Sequence, residues 1–509
     1  MTQTFRGRGA RALPGLALLA AVAFGSSACD TNKLVAVVDP ATRLPTDIEN
    51  VGSLPALANG AFRQFVGGYS GFGGDAFLSA SAVITDETYY GDTFPTRLAA
   101  DRRTLQAPVL GNISDAAFSR LQQARFNARR AFAAYNTFQT AATASTDSIS
   151  RGQLRTIEGY VYVTLSEGWC GSVPFSRVPE TGPISPTDIK EGPGLSTAQM
   201  NDTAVTRFNE ALLQDPSNRL ALIGKARALL NNGNFNAARA AVQGIPTNYV
   251  FLLQHSTNTS NENNPMASLM QNGRYGVANL EGAQTATGTA SRSDVGTTAT
   301  TGISAEGLPF RGARDVRVPY ERKPTNGLCF SSSYTCYIND NYPILDADVP
   351  LASGVEARLI EAEAALQAGD AATMMTRLND LRAQATALAA ALYPNRQLVE
   401  GVSKTNNIPN GLAPLADPAD PLTSAAAQFE ARRALLFRER AFWLFNTGHR
   451  QGDLRRLARA PYNFATNVLF PSGPFFRGGA YGNDVAYSVP FNETNNTQFN
   501  PANCDTTKP

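Results

Sequence analysis

Apolar positions recur along this chain at helical spacing. Between Asp115 and Phe138, the residues Phe118, Leu121, Ala128, Phe132 and Tyr135 stand at offsets 0, 3, 10, 14 and 17, which is one face of a helix. Arg155 to Leu165 also reads as helix, although Tyr160-Val161-Tyr162-Val163 is equally strand-like in composition. Thr206 to Gln243 divides into three helical pieces. A stop and a new cap fall at Asp215-Pro216-Ser217-Asn218, and a tight turn at Asn231-Asn232-Gly233-Asn234, after which Phe235, Ala238 and Val242 resume the pattern. A similar unit comes later: Val355, Leu359, Ala362 and Leu366 lie at offsets 0, 4, 7 and 11, Gly369-Asp370 turns the chain, and Met374, Leu378, Leu381 and Ala385 repeat the same offsets. In both units a small residue, Ala226 or Ala362, stands seven positions before the turn glycine, and Leu230 or Leu366 three before it. Small residues there let two antiparallel helices approach closely, as in a tetratricopeptide hairpin, with Ala238 as the small residue of a second helix. The Trp and Tyr of the full repeat are absent, and any αα-hairpin satisfies the same signals.

Between the two units the pattern fails. Gln254 to Gly307 is rich in Ser, Thr, Asn, Gly and Ala, and Thr285 to Thr301 is nearly devoid of large apolar side chains, so this stretch reads as a long surface excursion. Tyr393 to Pro421 is a second loop-rich insert, whose five prolines bar a long helix. The fold expected is mainly α, a helical frame with large irregular loops.

The N-terminus changes the picture by setting a compartment. Arg6, Arg8 and Arg11 precede an apolar run, Leu13 to Phe24, of 12 residues, which is too short to span a bilayer and has signal-peptide dimensions. Small residues lead to Cys29. Either the chain is cut before Cys29 and the thiol acylated, or ordinary cleavage follows Ala28; Ser26 stands where lipoprotein signals prefer Leu. We adopt residues 1–28 as signal peptide and Cys29 as lipid anchor, since several acyl chains hold a protein on a membrane without a spanning helix.

The chain's 44 basic and 42 acidic residues give +2, but three of the arginines lie in the first 28 residues, leaving 41 against 42. That balance makes no electrostatic case for nucleic acid as partner. Two histidines exclude a zinc site built on several His, and five cysteines without a C-x-x-C exclude zinc ribbons and thioredoxin chemistry; no cofactor is expected. Gly71-Phe72-Gly73-Gly74-Asp75-Ala76 follows no strand and reads as a turn rather than a dinucleotide motif. Asp86-Glu87 reads as a solvated acidic pair, His449 as structural, and Asp340, Asp346 and Asp348 lack the ordered spacing of an EF-hand, so no metal site is assigned. With Cys29 lipidated, four cysteines remain. Cys329 and Cys336 enclose six residues and are expected to bridge, stiffening a loop that displays Phe330 and Tyr334. Cys170 with Cys504 is the pairing left by exclusion.

Segments of the C-terminal third carry a resemblance. Glu356-Ala357-Arg358-Leu359-Ile360-Glu361-Ala362-Glu363-Ala364 precedes Gly369-Asp370 and Leu378-Asn379-Asp380-Leu381-Arg382-Ala383. Then come Phe437-Arg438-Glu439-Arg440-Ala441-Phe442-Trp443-Leu444-Phe445 and Gly448-His449-Arg450-Gln451-Gly452-Asp453-Leu454-Arg455-Arg456. With Gly168-Trp169-Cys170-Gly171-Ser172-Val173-Pro174-Phe175 and the late Tyr487-Ser488-Val489-Pro490-Phe491-Asn492-Glu493-Thr494-Asn495, this order resembles the RagB/SusD family of outer-membrane nutrient-binding lipoproteins. Departures are Ser26, Cys170 inside the Val–Pro segment, and the polar insert.

The resemblance implies a SusD-like single domain over residues 29–509 (an N-terminal part to about 250, a loop-rich insert to about 345, then a C-terminal part) with tetratricopeptide-like hairpins and no catalysis. It implies a lipid-anchored protein on the outer-membrane surface. Such a protein captures oligosaccharides, or peptides, and passes them to a TonB-dependent transporter of SusC type, which the hairpins contact. Two loops would line the ligand site: Tyr89, Tyr90, Asp92, Phe94 and Arg97 after the first helix, and Tyr320, Phe330 and Tyr334 before the second hairpin. Sugars stack on exposed rings and bond to polar side chains. Trp169, at a helix end, is either packing or a ligand contact, while Trp443 reads as core. The alternatives are a tetratricopeptide-type scaffold lipoprotein in envelope assembly and a secreted glycosidase.

Overall fold

The computed structural model describes Asn50 to Pro509, apart from residues 73, 106–110, 140–149, 183, 279–306, 314, 325, 333 and 397–410. The signal segment and Cys29 lie outside the described residues, as does the Thr285–Thr301 stretch.

Helices dominate, and several begin at a residue whose side chain caps the first turn. α1 (Leu54–Tyr69), α2 (Phe77–Ile84) and α3 (Pro95–Asp101) are followed by α4 (Asp115–Phe138), with the bounds the periodicity predicts, and by α5 (Arg151–Gly168). The ambiguous Tyr160–Val163 run is helix. α5 is buried from Leu154 to Gly168, on every face, so its apolar residues surround the axis and the run reads like a strand. The first hairpin unit comprises α6 (Thr197–Gln214), α7 (Arg219–Asn231) and α8 (Phe235–Val242). A Ser196–Gln199 capping box starts α6 well before Thr206, and Asn218 caps α7 by accepting the Ala221 N–H. The second unit pairs α10 (Gly354–Gln367) with α11 (Ala371–Ala383), after the short α9 (Pro265–Gln271). All eight apolar positions named for that hairpin are buried. α12 (Ala385–Leu392), α13 (Ala425–Trp443), α14 (Arg450–Ala458) and α15 (Thr466–Leu469) complete the frame, and Trp443 is core as expected. Among the described residues no helix is long and apolar enough to cross a membrane.

Short strands serve as clasps, and the pairs that Thr88–Tyr90 and Val250–Leu253 form join distant segments. β1 (Thr88–Tyr90) pairs antiparallel with β5 (Tyr275–Val277), β2 (Val173–Pro174) with β3 (Gly194–Leu195), β4 (Val250–Leu253) with β8 (Val349–Ser353), and β6 (Tyr320–Arg322) with β7 (Tyr337–Asn339). The β1–β5 register sets Tyr89 opposite Gly276, where a Cβ would come within 2.6 Å of the Tyr89 ring, so only glycine admits the phenol. This corrects the reading of Gln254–Gly307 as wholly surface. Its first part holds α9 and β5, and Met266, Met270, Tyr275 and Val277 are buried.

A second correction concerns the acids. Asp86 and Glu87 are not solvated but fully buried: Tyr481 donates its hydroxyl to Asp86 at 2.8 Å, and the Asn446 N–H donates to Glu87 at 3.0 Å. His449 is structural, packed between Glu356 (3.2 Å) and Arg227 (3.0 Å).

His255 makes stability pH-dependent. Its ring bonds the Ser70 hydroxyl at 2.9 Å and the Glu262 carbonyl at 3.1 Å. Burial, aided by the Arg63 charge, holds its pKa at about 4 instead of 6.5. Between those values the unfolded chain binds a proton that the folded chain refuses. This stability is therefore complete above the unfolded pKa and lost as pH falls through the folded one, by up to about 3 kcal/mol. Denaturation curves for wild type and His255→Gln should diverge across that window. Parallel curves would show that the imidazole does not titrate so.

Candidate functional site

Four segments meet at one polar cleft of about 540 Å³: the turn between α1 and α2, the start of α3, the start of α4, and the end of α9 running into β5. The turn is tight because Gly71 sits at φ +109°, against Pro265 at the start of α9; a Cβ there would lie 2.2 Å from the proline ring. The glycine-rich segment that follows no strand is thus a turn, and it delivers Phe72 and Asp75 to the cleft.

Asp75 is the hub. It accepts the Tyr275 hydroxyl at 2.9 Å and the Arg97 guanidinium at 2.8 Å. Those bonds tie β5 to α3. The clasp continues through Gly91, whose N–H donates to the Arg274 carbonyl at 2.8 Å, and through an ion pair from Arg274 to buried Asp92.

Guanidinium–ring couples surround this cleft. Arg97 lies 5.7 Å from the Phe94 centroid, Arg120 4.8 Å from Phe72, and Arg274 4.2 Å from Phe330. Phe94 and Phe330 are 58% and 55% exposed, far above ordinary core rings, and they offer faces to solvent. Asn112 and Asn272 also line the cleft; neither side-chain carbonyl accepts a hydrogen bond among the described residues. The constellation is that of a polar-ligand site: flat apolar faces beside amide and guanidinium donors.

The structure brings some of the sequence candidates to the cleft and buries others. Phe94 and Arg97 line the cleft, and Phe330 stands against Arg274 at its edge. Tyr89 and Tyr90 do not: both are wholly buried and offer no ring to a ligand. They are struts. The Tyr90 hydroxyl accepts the Phe94 N–H at 2.8 Å, and the Tyr89 hydroxyl donates to the Thr335 carbonyl at 2.6 Å, fixing the loop that bears Phe330. Asp92 is buried under Arg274. Tyr320 is buried in β6, its hydroxyl donating to the Arg311 carbonyl at 3.1 Å. Tyr334 is half-buried, edge-on to Phe476 at 5.4 Å with Arg477 over its ring. Trp169 is packing: wholly buried among Phe77, Phe118 and Tyr487. Tyr89, Tyr90 and Tyr334 are covered by segments far along the chain, and local polarity does not register such partners.

Phe72, Arg120, Asn112, Asn272 and Arg274 were missed by sequence reasoning. The disulfide loop was the available signal for Phe330: Cys329 and Cys336 are bonded, as are Cys170 and Cys504. Among the described residues no three His, Cys, Asp or Glu side chains converge on a metal position. A larger cleft of about 730 Å³ lies at the hairpin turns around Asn232–Ala237 and Gln367, with no charged side chain in its wall.

Comparison with known proteins bears on the frame. Residues 197–250, which hold α6, α7 and α8, match the tetratricopeptide repeat family model. No curated protein matches the chain in sequence. Solved structures do match in fold. B. fragilis NanU superposes over 91% of this chain and 99% of its own, with TM-score 0.55 and 12% identity. A laminarin binding SusD-like protein covers 88% and 98%, at 0.53 and 14%. A SusD-like carbohydrate binding protein from Bacteroides vulgatus covers 81% and 84%, at 0.53 and 13%. The mainly α frame with tetratricopeptide-like hairpins and clasped irregular loops is the SusD/RagB fold.

Proposed function

We propose that this protein is a non-catalytic, lipid-anchored surface receptor that binds an oligosaccharide in the cleft between α3, α4 and α9 and passes it to a TonB-dependent transporter of SusC type. The observation that carries the reading is the pair of exposed rings, Phe94 and Phe330, set around a cleft walled by arginine and asparagine. A sugar buries its C–H faces on such rings and spends its hydroxyls on the amides and guanidiniums. Two proteins with this fold, one carbohydrate binding and one laminarin binding, support a glycan over a peptide. Acylation of Cys29 is the proposed anchor. The hairpins α6–α8 and α10–α11, on which the uncharged cleft opens, are the proposed transporter-facing side.

A glycan-array screen followed by titration calorimetry tests the reading. Phe94→Ala and Phe330→Ala should each weaken binding by about 1–3 kcal/mol with an unchanged far-UV spectrum, because an exposed ring contributes little to the core. A ligand found whose affinity neither variant alters would place the site elsewhere. In native envelopes the protein should co-purify with a large outer-membrane barrel and carry an acylated N-terminal Cys29. An acylated protein with no barrel partner would favour the tetratricopeptide-type scaffold lipoprotein instead, and an unacylated N-terminus would remove the proposed anchor.

A further inference from the structure

We infer that the cleft takes an anionic saccharide, whose carboxylate or sulfate is received by Arg120 above the Phe72 ring. This rests on the glycan reading and narrows it to a substrate class.

The argument is a charge balance at atomic range. Arg97, Arg120 and Arg274 line the cleft with a single carboxylate, Asp75. Asp75 is engaged by Arg97, and Arg274 is engaged by Asp92. Arg120 has no carboxylate partner among the described residues; its neighbour is the Phe72 ring. Arg63 lies over that same ring, also 4.8 Å from the centroid, and it too has no carboxylate partner there. Two like charges thus share one aromatic platform without a counter-ion. Partial burial pushes the Arg120 pKa down, and no acid among the described residues opposes that shift.

A desolvated cation of this kind is stabilised by an arriving anion. The planar fork of Arg matches a carboxylate or sulfate with two parallel hydrogen bonds, and such charge-assisted bonds are about twice as strong as neutral ones. The neutral part of the ligand has its own partners: the free side-chain carbonyls of Asn112 and Asn272 accept from sugar hydroxyls, and the Phe94 face takes a ring. The near-zero net charge of the mature chain does not oppose this. Surface charges beyond a Debye length of about 8 Å are largely screened, so the few groups in the cleft decide.

The test is titration calorimetry of the full mature protein against matched oligosaccharides: neutral, uronic-acid-bearing and sulfated. At least one acidic series should bind about tenfold or more tighter than its neutral counterpart, with a preference that shrinks as salt rises. Arg120→Gln should abolish that preference by weakening acidic sugars far more than neutral ones, while Arg120→Lys should keep part of it. Which acidic series binds distinguishes a carboxylate from a sulfate. Neutral sugars binding as tightly as both acidic series, or Arg120→Gln weakening neutral and acidic sugars equally, would overturn the inference and leave the glycan reading standing. Failure of every saccharide to bind would overturn both. If Arg120→Gln does not fold, the wild-type charge preference and the Arg120→Lys variant decide.

Discussion

Glu363→Gln should destabilise this protein by about 3–5 kcal/mol, because it removes the acid from a buried ion cluster and leaves the cations in place. Glu363 is fully buried on α10. It accepts two bonds from Arg456 of α14, both at 2.9 Å, and one from the Tyr462 hydroxyl at 3.0 Å, with Arg440 of α13 at 3.7 Å. Asp453 closes the cluster, pairing with Arg440 at 2.8 Å and Arg456 at 2.9 Å. The two arginines hold its carboxyl well below the usual carboxylate range against the opposing pull of burial. In wild type two acids face two buried guanidiniums; in the variant one acid does. Glutamine keeps the volume, so no cavity confuses the result. Urea denaturation followed by circular dichroism reads the effect, and a loss under about 1 kcal/mol would mean that water reaches the cluster and screens it.

The same cluster explains why part of the fold was legible. The segments Glu356–Ala364, Phe437–Phe445 and Gly448–Arg456 carried the family resemblance through their charged letters. Those charges are the internal ties of α10, α13 and α14: Glu363, Arg440, Asp453 and Arg456 bind one another, and Glu439 takes Arg317 at 2.6 Å and Arg382 at 2.9 Å. A buried charge restricts its position to a few residue types, so such segments stay recognisable. The α10–α11 hairpin was legible for a second reason. Its two helices meet across a short turn, and the apolar stripe each turns toward the other marks the pair even though α10 is also buried on its other faces.

The candidate cleft lacks both advantages. Its walls come from four segments joined by the β1–β5 clasp, whose strands are nearly two hundred residues apart. Tyr89 and Tyr90 read as loop aromatics because that clasp cannot be inferred from their neighbours. Arg120 sits on the polar side of the α4 periodicity, where an arginine normally signals nothing more than solvent. Phe94 and Phe330 were found by type and loop position, and only the structure separates them from the buried rings nearby.

The Cys170–Cys504 bridge should contribute far more stability than the Cys329–Cys336 bridge. The first closes a sequence separation of 334 and the second a separation of 7. On the loop-entropy account these correspond to ceilings of about 6 and about 2 kcal/mol, with realised values commonly about 2–4. The long bridge also has local work. Cys170 follows Trp169 at the end of α5, and the chain there exchanges backbone bonds with the C-terminal segment: the Cys170 N–H donates to the Tyr487 carbonyl and the Tyr487 N–H to that of Gly168, both at 2.9 Å. That exchange seats Tyr487 against Trp169, 6.3 Å between centroids, and so holds the last segment on the core. Cys170→Ala with Cys504→Ala should therefore lower the denaturation midpoint substantially and leave ligand affinity nearly unchanged, since neither residue lines the cleft. Cys329→Ala with Cys336→Ala should do the reverse: a smaller loss of stability, and weaker binding through a loosened Phe330. Similar shifts in stability from the two variants, or an unchanged affinity in the second, would break the assignment of one bridge to the frame and the other to the site.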